Sequence, residues 1–113
     1  MKRLIPLAAL AAALLAPAPA SAVTCDFMDV DSFPAVHGGS AHGGLSCPTA
    51  KKVGNAIQRG YARQQKAPTR LRANGMAFRC GYRFYSEGDG QLMRATCRRP
   101  SRAKQRVVLK LSA

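Results

Sequence analysis

Acidic residues are scarce in this chain. Five Asp and Glu stand against 18 Lys and Arg, a formal net charge of +13 at pH 7. Asp26, Asp29 and Asp31 precede Lys51, whereas every cation after Arg3 lies at or beyond it. So basic a body draws phosphate-rich or carboxylate-rich polymers, which is a statement about partners rather than fold. Apolar length is short as well: after Leu4–Leu15, interrupted by Pro6, no run approaches the ~20 residues that cross a bilayer. No transmembrane segment is therefore expected. A CxxC pair is missing, which argues against zinc, and no cysteine follows Ala22 directly, which excludes a lipid anchor there. Internal repeats and RNP-type nucleic-acid motifs are absent too.

What is present begins with an export signal. Met1, Lys2 and Arg3 precede the apolar run, and Ala20-Ser21-Ala22 is a small-x-small cleavage site. Residues 1–22 are read as a signal peptide, with a mature chain from Val23 that is secreted, extracellular or periplasmic. It comprises an N-terminal segment, 23–44, and a body, 45–113, forming one globular unit. Cys25, Cys47, Cys80 and Cys97 are the only cysteines, and an even count in an exported chain predicts two disulfides. Two pairings stand out. Cys80 with Cys97 suits a hairpin and leaves Cys25 with Cys47; the alternative ties Cys47 to the sheet and Cys25 to the remaining strand. The second constrains the chain more and is favoured on loop entropy.

Along the mature chain, Val23–Phe33 reads as a short edge strand. The glycines between His37 and Gly44 predict a loop, because glycine is costly to order. From Cys47 the period becomes helical, with Ser46 or Cys47 as cap, Pro48 in the first turn, and Ala50, Val53, Ile57 and Tyr61 on one face. Gln64–Asn74 reads as a basic linker. A turn at Gly88-Asp89 pairs Phe84 with Met93, Tyr82 with Ala95 and Cys80 with Cys97, leaving Arg79, Arg83, Arg94, Arg98, Tyr85 and Thr96 on the other face. Arg106–Leu111 alternates as a further strand. The predicted fold is α+β: one main helix packed on a small antiparallel sheet of three or four strands, disulfide-stapled.

The motifs Ser46-Cys47-Pro48-Thr49-Ala50-Lys51-Lys52-Val53, Phe78-Arg79-Cys80 and Thr96-Cys97-Arg98, followed by a short apolar last strand, resemble small secreted, Cys-containing bacterial proteins of the actinobacterial type, of uncharacterised function. The resemblance spans residues 45–111, implies a helix on an antiparallel sheet, and carries no catalytic residues with it.

The candidate anion-binding residues are Arg79, Arg83, Arg94 and Arg98 on the hairpin, with Tyr82 or Tyr85 nearby, and Lys51, Lys52, Arg59 and Arg63 on the polar side of the helix. Arginines facing each other across strands repel unless solvated or bound to an anion. His37 and His42 are two metal-binding side chains in a loop, too few for a metal site, and the three aspartates lack the Gly turn and distal Glu of an EF-hand. Those aspartates are expected to pair with the basic body. No cofactor is implied. The expected function is a non-enzymatic exported monomer that binds anionic polymers electrostatically, whether envelope polymer, nucleic acid or anionic lipid. A protein-interaction, inhibitor or toxin-like module is one alternative. A small ribonuclease is the other; it would need a His and a Glu, or two His, on ordered elements, whereas Glu87 reads as lying beside a turn and the two histidines among glycines.

Overall fold

Turn chemistry sets the framework of the sheet. Asn74 and Gly75 both have positive φ, 53° and 74°, the requirement of a two-residue type I′ hairpin turn. Gly88, at φ 61°, opens the next turn, and Pro100-Ser101 makes the third. These three turns join four strands in a meander.

The computed structural model describes residues 22–112; the predicted signal peptide lies outside them apart from Ala22. The elements are β1 (Val23–Cys25), β2 (Val36–His42), α1 (Cys47–Gln64), β3 (Arg70–Ala73), β4 (Met76–Glu87), β5 (Gly90–Arg99) and β6 (Arg102–Ser112). All strands pair antiparallel in one sheet of order β1-β2-β6-β5-β4-β3. The expected three- or four-stranded α+β arrangement is therefore corrected. The fold is mostly sheet, six strands with a single helix among the described residues.

The two added strands come from misread segments. The Gly-rich stretch expected to be a loop is β2, and its glycines are what let it pair. A Cβ on Gly39 would run into the Val108 carbonyl oxygen of β6, so only glycine permits that approach. Gly38, at φ 82°, lies where the register shifts between Val36 and Gly39, as expected for a glycine-assisted β-bulge. The basic linker contains β3, which the Asn74-Gly75 turn folds back onto β4.

Helix α1 starts where the chain provides a cap: Ser46 Oγ accepts from the Thr49 backbone N–H at 3.4 Å, and Pro48 occupies the first turn. It ends at Gln65 in left-handed geometry, whose N–H donates to the Tyr61 carbonyl at 2.7 Å. Ala50, Val53 and Ile57 are fully buried against Val36, Phe78, Ala95, Val107, Leu109 and Leu111. Burying each Val, Ile, Leu or Phe side chain of this set contributes roughly 1.5–3 kcal/mol. Gln58, buried in the same layer, donates to the carbonyls of Asp29 and Pro34 at 3.3 and 3.1 Å and fixes the segment before β2. The apolar strip of the sheet outruns the helix, leaving Phe84 61% exposed.

The disulfides are Cys25–Cys47 and Cys80–Cys97, which corrects the favoured pairing. Register decides the second bridge: Cys80 and Cys97 are direct cross-strand partners with Cα atoms 4.0 Å apart. The first clamps the edge strand β1 to the N-terminus of α1 across a 22-residue separation. Loop entropy ranks pairings only when geometry permits both. Two disulfides fit an oxidising compartment.

Candidate anion-binding face

Side chains alternate across a strand, so the face of the sheet turned away from α1 is set by residue parity. On β4 and β5 that face carries Arg79, Gly81, Arg83 and Tyr85 opposite Arg98, Thr96, Arg94 and Leu92. Arg79, Arg83, Arg94 and Arg98 are all exposed, and the structure brings these four together with Arg79 facing Arg98 and Arg83 facing Arg94. Between the two pairs lies a shallow depression of about 400 Å³ lined by Gly81, Tyr82, Arg83, Arg94, Thr96 and Arg98.

The adjacent strands extend the pattern. One row crosses five strands in register: Arg70 of β3, Arg79 of β4, Arg98 of β5, Arg106 of β6 and His42 of β2. A second row holds Arg83, Arg94 and Lys110. Among the described residues the one ion pair is Lys110 with Glu87, 3.4 Å apart and both well exposed. Such a pair is worth at most about 1 kcal/mol, and the six arginines of the two rows have no carboxylate within ion-pairing distance there. The aspartates expected to pair with the body, Asp26, Asp29 and Asp31, make no such pair among the described residues.

The remaining four candidates separate from this face. Lys51, Lys52, Arg59 and Arg63 are exposed on α1, whose buried stripe packs on the opposite side of the sheet. Lys52 Nζ donates to Asn74 Oδ1 at 3.2 Å. The eight residues thus form two groups with the sheet between them.

Both histidines, expected in a loop, stand on β2 and on the arginine side. His37 Nε2 is 2.9 Å from Ser112 Oγ, and His42 Nε2 is 2.8 Å from Ser40 Oγ. Partial burial, and then the charge of Arg106, hold the His42 pKa below its usual 6.5. His37 and His42 are five positions apart along β2, their Cα atoms at most about 16 Å apart at ~3.3 Å per residue, and each Nε2 is engaged by a different serine hydroxyl, so the two are not set as acid and base on one reacting atom. No group of three or more His, Cys, Asp or Glu fit to hold a metal occurs among the described residues.

Of the two tyrosines, Tyr85 belongs to the arginine face, with the Arg94 guanidinium 4.9 Å from its ring centroid. Tyr82 lies on the helix side and donates to the Pro68 carbonyl at 2.5 Å; burial pushes its pKa up to about 12. Sequence reasoning missed Arg70, Arg106, Lys110 and His42 as members of the face. Parity along Arg106–Leu111 would have found Arg106 and Lys110, and the Asn-Gly turn would have found Arg70.

No helix among the described residues is long and apolar enough to cross a membrane. Comparison with family models, curated proteins and solved structures finds no match to this chain.

Proposed function

We propose that this is an exported, non-enzymatic protein, of the small cysteine-stapled secreted kind, that attaches reversibly to anionic polymers through the helix-free face of its sheet. One observation carries the reading: in each of two rows, cations face one another in register across adjacent strands, and among the described residues a single carboxylate, Glu87, pairs into them. Like charges directly opposed destabilise a sheet, so the arrangement costs stability that an anionic partner would return. The signal-peptide pattern and the disulfides support work outside the cytoplasm. The separation of the imidazoles favours binding over hydrolysis.

Retention on immobilised heparin and on RNA across a salt series tests this, with RNA integrity followed in the same tubes. Binding that falls linearly in log affinity with log salt, over intact RNA, is expected, because counterion release governs such association. Salt-insensitive capture of one protein partner would replace the reading with an inhibitor-like or toxin-like module. Cleavage that is lost in His37→Ala or His42→Ala would replace it with a ribonuclease.

A further inference from the structure

Between the two cationic rows runs a third row of small, uncharged residues, Gly81, Thr96, Val108, Ser40 and Thr24, in register across five strands. Each row is two residues from the next, so the cationic rows stand about 13 Å apart with this strip as a floor between them. Gly81 deepens it: nothing lies within 4 Å of where its Cβ would be. The strip crosses five strands, about 19 Å at ~4.8 Å spacing, and over β4, β5 and β6, where cations flank it on both sides, it is the floor of a trough.

We infer that the trough seats one strand of a phosphodiester polymer, lying across the β-strands with Arg79, Arg98 and Arg106 on one flank and Arg83, Arg94 and Lys110 on the other. This rests on the polyanion reading above and names its ligand chemistry. Charge reached from both flanks suits an anion within the polymer backbone, where the two free phosphate oxygens point to either side; a pendant carboxylate or sulfate projects to one side. Five of those six flanking cations are arginine, whose planar fork meets phosphate oxygens two at a time. Thr96 and Ser40 offer hydroxyls from the floor, and Tyr85 beside Arg83 and Arg94 adds a stacking surface of the kind single-strand binders use. A duplex would ride on the rims without entering the floor.

The experiment is fluorescence anisotropy of labelled oligo(dT) with the mature, oxidised chain, and with Gly81→Leu. This substitution fills the open trough without altering net charge and meets no neighbouring atom at its Cβ; melting temperature and circular dichroism verify that it folds. At least tenfold weaker binding by Gly81→Leu is expected, with heparin retention retained. A fourfold helix variant, Lys51→Gln, Lys52→Gln, Arg59→Gln and Arg63→Gln, should keep most of the oligonucleotide affinity. An abasic phosphodiester chain bound as well as oligo(dT) would assign recognition to the backbone, as in a polyol-phosphate polymer; base-dependent binding would assign it to single-stranded nucleic acid. Unchanged oligonucleotide affinity in Gly81→Leu overturns the trough while leaving the polyanion reading intact. Preference for polyglutamate or heparin over every phosphodiester overturns the ligand class, and no salt-sensitive binding to any polyanion overturns the function itself.

Discussion

Replacing Arg98 with Gln should make the protein more stable and a poorer binder at once. Arg98 faces Arg79 on one side and Arg106 on the other, at strand spacings of about 5 Å. Two unit charges at that distance in water repel by about 0.8 kcal/mol, and physiological salt reduces this by roughly half. Flexible side chains splay to relieve part of the rest, so relief of two neighbours comes to about 0.5–1 kcal/mol, within the range of measured surface pairs. For a domain of this size that is a rise in melting temperature of about 2–6 °C, largest at low salt. The same change should reduce the log–log salt slope for single-stranded oligonucleotide by about 0.7, one phosphate contact. Calorimetry at two salt concentrations and anisotropy across a salt series read both quantities. A melting temperature that falls in Arg98→Gln would refute the argument, since it would make the arginine a structural group.

Three further outcomes follow from the same geometry. His42 has a folded-state pKa below 6.5, so the unfolded chain takes up its proton more readily; stability without polyanion should be level above about pH 7 and decline as pH falls through 6.5. Polyanion affinity should rise over that window as His42 charges beside Arg106, and His42→Gln should reduce the pH dependence of both profiles in titrations at pH 5–8. Gly39→Ala should destabilise by roughly 2–4 kcal/mol or prevent folding, because the methyl meets the Val108 carbonyl; a melting temperature within 2 °C of the parent would contradict the close pairing of β2 with β6. Removing the outer bridge with Cys25→Ser and Cys47→Ser should cost about 3 kcal/mol by loop entropy in denaturant titrations, with the β4–β5 amides still protected from exchange.

How far the sequence carried the fold depends on where its information is local. The β4–β5 register and the four facing arginines follow from a turn signal and period-two alternation, and the structure places them so; the same register sets Cys80 opposite Cys97, but loop entropy favours the other pairing, which the structure overturns. Ser46 and Pro48 marked the helix start by capping chemistry. The size of the sheet was not legible in the same way. Glycine content in β2 reads as a cost until the carbonyl it must clear, 69 residues away at Val108, is in place. Four-residue β3 shows too little alternation to declare itself, although the Asn-Gly turn after it was a usable signal. The bridge from Cys25 to Cys47 depends on β1 reaching the sheet edge beside the helix cap, a tertiary fact. The face itself spans five strands, so its rows emerge only once the registers are assembled.

Amide chemical-shift mapping of the oxidised mature chain against single-stranded oligonucleotide reads the binding face residue by residue. If the polymer lies on the helix-free face of the sheet, shifts should concentrate at Gly81, Arg83, Arg94, Thr96, Arg98 and Val108, moving together with one affinity and little change along α1. Shifts centred on Lys51, Lys52, Arg59 and Arg63, or spread evenly over both sides of the sheet, would contradict it.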